Sequence, residues 1–229
     1  KINSLDTKDD KLKMLLEESV WIGNHIKTIV NNGSYPILNI GSSTKEYRTS
    51  RQSFIQENIF NLINDEKNNV VHLDMKAAEG VDLVGDLYDS KFLDILKQYK
   101  FKAILLNNIL MYLDQQQRIK LSLILEDLLD VDGYLIVTNS HVFPPAHDPV
   151  ESYYRASPNK LYLDLFSRFN KIDEKNVEAN YSFDRFLKDN PKIIKAKIIR
   201  FLCPFYQPKE WLFMFEYYRK NLKKNYSAS

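Results

Sequence analysis

The chain has 229 residues, of which 44% are hydrophobic and 27% are charged, and its formal net charge is +2. This balance predicts a folded domain with a substantial core, and the small net charge gives no global electrostatic case for binding nucleic acid. The lone cysteine, Cys203, excludes an internal disulfide and suits a reducing compartment, and the sequence has no apolar run of about 20 residues that could span a bilayer. We therefore expect one soluble, cytoplasmic domain over residues 1–229.

The apolar pattern predicts helices that alternate with short buried strands. After a helical lead-in over residues 1–33, strands are predicted at Ile37–Ile40, Val70–Asp74, Val81–Val84, Ala103–Leu106 and Tyr134–Val137. Helices are predicted between them, over residues 51–63, 90–98 and 115–129. This alternation favours right-handed crossovers and an α/β fold with a Rossmann-like, doubly wound, mainly parallel sheet. We expect this core to occupy residues 34–140.

The remaining residues, 141–229, differ in character from the core. A proline-punctuated loop is followed by helical segments, a predicted strand at Trp211–Tyr217 and a tail, 220–229, that we expect to fray. Basic residues alternate with apolar ones over residues 192–224, which favours a helix with its apolar face on the core. The alternative is peripheral contact of this basic stretch with an anionic membrane surface or with a partner.

Small and polar residues follow four of the predicted strands. They are Gly41 with Ser42 and Ser43, then Asp74, then Asp86 with Leu87, and finally Asn107 with Asn108. Because α/β folds bind ligands beyond the carboxyl ends of parallel strands, these residues predict one site for a nucleoside-containing cofactor. Taken singly, each has an ordinary alternative: a turn glycine, a solvated acid or an asparagine turn.

These segments resemble the successive motifs of class I S-adenosylmethionine-dependent methyltransferases. The similar segments, within residues 35–166, are Ile37-Leu-Asn-Ile-Gly-Ser-Ser-Thr44, Val71-His-Leu-Asp74, Val81-Asp-Leu-Val-Gly-Asp-Leu87, Phe101-Lys-Ala-Ile-Leu-Leu-Asn-Asn-Ile-Leu110 and Asp132-Gly-Tyr-Leu-Ile-Val-Thr138. The loop over residues 143–158 is similar to one in a subgroup often met in glycan-modifying gene sets. The resemblance implies S-adenosylmethionine as cofactor and a small-molecule or glycan acceptor.

The resemblance also implies a role for each strand-end group. Gly41 and its neighbours would approach the methionine part, and Asp74 would bind the ribose. Asp86 and Leu87 would hold the adenine. Asn107 and Asn108 would lie beside the methionine and the transferred methyl group.

Three positions depart from the family pattern. Asn39 stands where an acid is usual, the turn at Gly41 has one glycine instead of two or three, and Met111-Tyr112 replaces a Glu-His pair. These departures leave open a second hypothesis, a catalytically degenerate module that binds or scaffolds within a larger glycan-assembly protein. A nicotinamide oxidoreductase is disfavoured because the glycine fingerprint of dinucleotide-binding folds is missing.

Methyl transfer to oxygen needs alignment of the reacting groups and a general base for the leaving proton. His147 and His141, in or beside the loop after the fifth strand, are the candidate bases, with Asp148 and Glu151 as alternatives. The ordinary interpretation of the His147-Asp148-Pro149 segment, a capped turn, is slightly favoured over a catalytic role. The four histidines and one cysteine show no ligand spacing, so we expect no metal site.

Tyr153, Tyr154 and Arg155 are the candidate acceptor-binding residues. Aromatic faces pack against sugar CH groups, and an arginine binds phosphate or carboxylate through two parallel hydrogen bonds. The alternative is a tyrosine pair at the edge of the core with a surface arginine. The sequence leaves the oligomeric state open.

Overall fold

The computed structural model describes residues 14–63, 69–142, 152, 154–182, 184–185, 188, 208–221 and 223–229. Its helices are α1 (Leu16–Asn31), α2 (Ser53–Asn58), α3 (Ser90–Lys97), α4 (Gln115–Leu128), α5 (Pro158–Leu161) and α6 (Pro208–Asn221). Its strands are β1 (Ile37–Ile40), β2 (Val70–Asp74), β3 (Leu83–Val84), β4 (Phe101–Asn107), β5 (Leu129–Thr138), β6 (Ser140–Val142), β7 (Val177–Ser182) and β8 (Asn225–Ala228). Short π-helical turns at Tyr47–Arg51 and Tyr162–Phe166 and 3₁₀ turns at Phe60–Leu62 and Leu110–Tyr112 connect them.

The central sheet has five parallel strands in the order β3-β2-β1-β4-β5. The chain winds outward from β1 in one direction through β2 and β3, and in the other through β4 and β5. This is the doubly wound, Rossmann-like architecture that the sequence predicts. The smaller sheet is antiparallel, in the order β6-β8-β7, and a single residue, Asn139, connects its strand β6 to β5 of the central sheet.

Two apolar clusters pack on opposite faces of the central sheet. On one face, α1 and α2 bury residues that include Ile22, Ile26, Ile59, Ile37 and Leu105. On the other face, α3, α4 and the Tyr162–Phe166 turn bury residues that include Leu38, Leu96, Ile104, Leu125 and Phe166. Alternate residues of β1 therefore serve different clusters, and all four of its residues are buried. Covering both faces is what a parallel sheet requires.

The predicted bounds of the core elements agree with the structure to different degrees. β1 and β2 have the predicted bounds, whereas β4 and β5 are longer and β3 is shorter. The prediction that Asp132-Gly133 form a turn before the fifth strand was wrong. Leu129 already pairs with Phe101, and Tyr134 pairs with Ala103, so the intervening residues bulge out within β5. Asp132 accordingly has a positive φ of 59°.

Two predictions for the carboxyl-terminal part were also wrong. Trp211–Tyr217 belongs to helix α6 instead of a strand. Residues 208–221 contain no β-branched residue, begin with a proline suited to a first helical turn and end with Arg219 and Lys220 near the negative helix end. The tail does not fray, because Tyr226 is 1% exposed and β8 pairs with both β6 and β7.

Other parts of the sequence predictions fall outside the described residues. The helical lead-in is described only from Met14 onward, and most of the basic stretch over 192–224 lies outside the described ranges, so the amphipathic-helix and membrane-contact hypotheses stay predictions. None of the helices within the described part of the chain combines the length and apolar character that crossing a bilayer requires.

A groove of about 710 Å³ runs along the outer edge of β5. Just beyond β5, Asn139 and Ser229 exchange two backbone hydrogen bonds of 2.7 and 2.8 Å. The backbone N–H and C=O of Asn139 therefore both point toward Ser229. Thr138 points its carbonyl to β4 and accepts from the Asn108 amide at 2.9 Å. Because backbone groups alternate sides along a strand, Leu135 and Val137 direct theirs into the groove. No strand in the described ranges pairs with this edge.

This alternation predicts a pattern of amide exchange along β5. In the 229-residue chain, the amides of Leu135 and Val137 should exchange with solvent deuterium at least about tenfold faster than those of Ile136 and Thr138, which pair with β4. Hydrogen–deuterium exchange followed by NMR measures this. Uniform protection of all four amides would show that the outer edge of β5 is covered.

Candidate functional site

The strand register brings the predicted strand-end residues to one edge of the sheet. Ile40 pairs with Leu73 on one side and with Leu106 on the other. Gly41, Asp74 and Asn107 therefore each stand at the end of neighbouring strands, which lie about 4.8 Å apart. The edge continues outward on both sides, since Asp74 pairs with Val84 and Asn107 pairs with Thr138. The crevice lies at the β1–β4 switch point.

The turn after β1 requires a glycine at its first position. Gly41 has a φ of +66°, and a Cβ built there would lie 2.2 Å from Cδ1 of Ile109. The next residues hold the chain close to β2: the Ser42 amide donates to the Leu73 carbonyl at 3.0 Å, and Ser43 has a φ of 57°. Gly41 is exposed at the sheet edge, so its backbone can approach a ligand.

Arg48 holds this turn through hydrogen bonds from its side chain, a role that the sequence did not predict. Its side chain is 4% exposed, and its guanidinium group donates to the carbonyls of Ser42, Ser43 and Gly80 at 2.7, 2.8 and 2.7 Å. It thereby ties the turn after β1 to the loop after β2. Burial lowers the pKa of Arg48, while the nearby carboxylates of Asp82 and Asp74 act in the opposite direction.

Asp74, at the end of β2, holds the same turn from the other side. One carboxylate oxygen accepts from the Ser43 amide at 3.0 Å, and the other accepts from the Lys76 amide at 3.1 Å. The group is half-buried. Because a carboxylate has about four lone-pair sites, Asp74 keeps acceptor capacity for a ligand.

Asp86 and Leu87 point in different directions. Asp86 is exposed, and its Oδ1 accepts from the Tyr88 amide at 2.9 Å, whereas no residue in the described ranges donates to Oδ2. Leu87 is 8% exposed and packs in the core cluster on the α3–α4 face. The Asp86 carboxylate is therefore free to bind a ligand. The Leu87 side chain packs in the core instead of lining the crevice.

Asn107 and Asn108 lie together at the end of β4, beside the end of β5. The Thr138 hydroxyl lies 3.2 Å from Oδ1 of Asn107. Asn108 has a φ of 54°, and its Oδ1 accepts from the Ser140 hydroxyl at 3.1 Å. Both amides are half-buried and are held by side chains of the neighbouring strand.

Glu18, from the first turn of α1, is the second residue that the sequence analysis missed. It is 1% exposed, and its carboxylate accepts from the Leu15 amide at 3.1 Å and from Nδ2 of Asn108 at 2.9 Å. Burial raises the pKa of Glu18 from 4.5 to about 7. A glutamate in the first turn of a helix is ordinarily a surface residue, so the sequence gave no signal of its burial.

Asn39, which stands where the resemblance would place an acid, pairs with a histidine on the next strand. Its Nδ2 lies 3.0 Å from Nδ1 of His72, and the ring of Phe60 packs edge-on against the imidazole with centroids 4.9 Å apart. Burial, together with the charge of Arg48, lowers the pKa of His72 to about 4. At neutral pH His72 is uncharged, and its Nδ1 accepts from Asn39.

The candidate base His141 and the candidate acceptor residues lie on neighbouring segments beyond β5. Nδ1 of His141 lies 3.1 Å from the Ala156 carbonyl, and Asn139 donates to the Tyr154 carbonyl at 3.3 Å. Burial lowers the pKa of His141 from its ordinary value of 6.5. The ring of Tyr154 lies 4.0 Å from the Arg118 guanidinium, and Arg155 donates to the Tyr154 carbonyl at 3.2 Å.

The remaining candidates cannot be placed. His147, Asp148, Glu151 and Tyr153 lie outside the described residues, so their roles stay predictions. Within the described ranges, no cluster of three or more His, Cys, Asp or Glu side chains could hold a metal ion.

No protein-family model matches the chain, and no curated protein matches it. Among solved structures, one similar to this chain is the crystal structure of a protein from Thermobifida fusca YX that is described as a candidate methyltransferase. It shares 17% identity over 66% of this chain and 59% of that chain, with a TM-score of 0.38. The assignment of the fold therefore rests on the strand order and register described above.

The Arg48 contacts predict a large stability effect at a single position. Arg48→Met should lower the free energy of unfolding by roughly 2–4 kcal/mol, because three carbonyl groups lose their donor in a buried place. Arg51→Met is the matched control: its exposed ion pair with Glu46, at 3.3 Å, should contribute less than about 1 kcal/mol. Urea denaturation measures both variants. Equal losses would contradict the role given to Arg48.

Proposed function

We propose that this protein is an S-adenosylmethionine-dependent methyltransferase that acts on an oxygen of a saccharide or glycan precursor. The observation that carries the proposal is the single row of groups at the carboxyl edge of the sheet, made by Gly41, Asp74, Asp86 and Asn107. A glycine turn, two acids with remaining acceptor capacity and an amide suit a nucleoside linked to a charged amino acid. The similarity of residues 35–166 to class I methyltransferase motifs supports the same proposal.

The residues present fit such a cofactor at three places. The backbone at Gly41 can approach the methionine part, since Gly41 is exposed at the edge of the sheet. Asp74 can accept hydrogen bonds from ribose hydroxyls with lone pairs that the amides of Ser43 and Lys76 leave open. The exposed carboxylate of Asp86 can accept from the adenine amino group.

S-adenosylmethionine supplies an electrophilic methyl group on sulfur, so the protein's task is to align the acceptor oxygen and to remove its proton. His141 suits proton removal. If its Nδ1–H donates to the Ala156 carbonyl, the ring is fixed in the tautomer whose Nε2 carries the free lone pair. The lowered pKa keeps the imidazole neutral at pH 7, so Nε2 would be able to take the proton of the acceptor hydroxyl when the methyl group leaves sulfur for that oxygen.

The saccharide acceptor rests on two supports. The loop over 143–158 is similar to that of a glycan-modifying subgroup, and the described end of this loop, with Tyr154 and Arg155, lies beside His141 and Asn139. Aromatic and guanidinium groups are common in sugar and sugar-phosphate sites.

A catalytically degenerate binding module is the second candidate, and the Asn39–His72 pair favours it. An uncharged pair, in which Asn39 is buried and His72 is half-buried, stands where the family pattern has an acid. The two candidates differ in one property. The enzyme binds S-adenosylmethionine and turns it over, whereas the module binds it without methyl release in the presence of any acceptor.

Replacement of Asp86 tests the cofactor assignment. Asp86→Ala should weaken the binding of S-adenosylmethionine by about tenfold or more, because the adenine amino group loses a charged acceptor. Isothermal titration calorimetry measures the dissociation constant. Asp89→Ala is the matched control, since Asp89 caps α3 through an equivalent bond of 2.9 Å to the Lys91 amide but does not stand at a strand end. Equal affinity of the two variants would refute the adenine site.

Replacement of His141 tests the base. With S-adenosylmethionine carrying a radiolabelled methyl group and a panel of saccharides and nucleotide sugars, His141→Ala should lower kcat by about 10²–10⁴-fold and leave cofactor affinity unchanged. Because burial lowers the pKa of His141, the acidic limb of the wild-type kcat/KM profile should fall below pH 6.5. The half-buried His25, whose Nε2 lies 3.1 Å from Asp173, supplies the control, His25→Ala. Full activity of His141→Ala would shift the role of base to His147.

A further inference from the structure

We propose that Glu18 is a positioning residue of the crevice, whose carboxyl group orients both Asn107 and Asn108 through one hydrogen-bond network and thereby adjusts ligand affinity to pH. This inference rests on the proposed function for the identity of the ligand, but the network itself can be tested without any ligand.

The burial of Glu18 exceeds what helix capping requires. Among the described residues it is the one acidic side chain that is buried, at 1% exposure. A glutamate that closes a capping box needs to reach only the backbone amide at the helix start, here Leu15, and can do so from the surface. Its second oxygen instead reaches across to Nδ2 of Asn108, 90 residues away in the sequence, at 2.9 Å. Burying a carboxyl group costs free energy, and the hydrogen bond to Asn108 offsets part of this cost. The same bond fixes the position of the Asn108 side chain.

Hydrogen bonds hold both the backbone and the side chain of Asn108. Its backbone amide donates to the Thr138 carbonyl at 2.9 Å, its Oδ1 accepts from Ser140 at 3.1 Å, and one Nδ2 hydrogen goes to Glu18. Its φ of 54° is a left-handed conformation, which asparagine adopts more readily than most other non-glycine residues. Nδ2 has a second hydrogen, and no acceptor for it is present in the described part of the chain.

Thr138 extends the network from Glu18 to Asn107. Its hydroxyl donates to Oδ1 of Asn107 at 3.2 Å, and the same hydroxyl is near enough to the Glu18 carboxyl to lower the pKa of that group. A hydroxyl has one hydrogen, so it cannot donate to both oxygens at once. With Glu18 ionised, Thr138 donates to Glu18 and Oδ1 of Asn107 is released for a ligand. With Glu18 protonated, its own O–H donates to Thr138, and Thr138 donates to Asn107.

The balance between these two states lies near neutral pH. Burial raises the pKa of Glu18 to about 7, and the groups that oppose this rise are the Thr138 hydroxyl and the amides of Leu15 and Asn108. Three carboxylates lie on segments packed against α1: Glu57 on α2, Glu178 on β7, and Asp173, which contacts Trp21 and His25. All three are exposed, and none of them contributes to the shift in the pKa of Glu18. One proton therefore decides which acceptors face the crevice.

The first experiment uses the free protein and follows the side-chain amide resonances of asparagines by NMR from pH 5 to pH 9. In the wild type, the Asn107 and Asn108 signals should shift with a common midpoint near pH 7. Glu18→Gln, which resembles the protonated carboxyl at every pH, should abolish both transitions. Thr138→Val should abolish the Asn107 transition and preserve that of Asn108. Asn39 is the internal control, because its partner His72 has a pKa of about 4.

The second experiment measures the dissociation constant of S-adenosylmethionine by calorimetry at pH 6 and pH 8. Binding should be tighter at pH 8. The ratio of the dissociation constant at pH 6 to that at pH 8 should be about fivefold to tenfold larger in the wild type and in Glu17→Gln than in Glu18→Gln. Glu17→Gln, at the neighbouring, partly exposed position, controls for the titration of the ligand itself.

The two experiments separate the possible failures. Absence of a shared transition of Asn107 and Asn108 in the wild type overturns the proposal, as does an equal pH ratio in the Glu17 and Glu18 variants. If Glu18→Gln does not fold, the wild type and Thr138→Val decide by their amide signals. Absence of binding to the wild type at either pH, with the amide transitions present, refutes the proposed function and leaves Glu18 as the positioning residue of a different ligand.

Discussion

The parallel pairing of β1 on both of its edges is the constraint on which the rest of this structure depends. Its four residues are buried, and they pair in register with β2 on one side and β4 on the other. The pairing extends into the flanking loops, where the Ile37 amide donates to the Asn69 carbonyl at 2.8 Å and the Lys102 amide donates to the Pro36 carbonyl at 2.9 Å. The ends of three strands are thereby aligned, and every polar group that follows them faces the same edge.

Two buried ionisable side chains, Arg48 and Glu18, hold the polar groups at that edge. Arg48 binds the carbonyls of the turn after β1, and Glu18 binds the amide after β4. Between them, Asn39 and His72 form a pair that is uncharged at neutral pH because the pKa of His72 is about 4. A second buried charge next to Arg48 would add desolvation cost, and an uncharged pair avoids it. The cationic group thus belongs to the β1–β2 side and the titratable acid to the β4–β5 side.

The sequence predicts the sheet well and the support of the site poorly, for a physical reason. Short runs rich in apolar residues mark β1 and β2 because the strands of a parallel sheet that is covered on both faces are mostly apolar. Glu18 and Arg48 lie in segments with ordinary polar patterns, and only tertiary packing buries them. Segment 208–221 was misassigned because its aromatic residues suit a strand, whereas the absence of β-branched residues and the leading proline favour the helix that forms.

The single glycine of the turn after β1 does not by itself indicate a degenerate site. Ser43 stands two residues after Gly41 and has a φ of 57°, a conformation for which a second glycine would be the usual choice. For a non-glycine residue that conformation costs about 1–2 kcal/mol. The Ser43 amide donates to the carboxylate of Asp74 at 3.0 Å, and such charged bonds contribute about 1.5–3 kcal/mol. The Arg48 bond to the Ser43 carbonyl, at 2.8 Å, adds to this. Asp74 and Arg48 therefore offset the strain at Ser43, and the backbone path that a glycine-rich turn provides is available with one glycine.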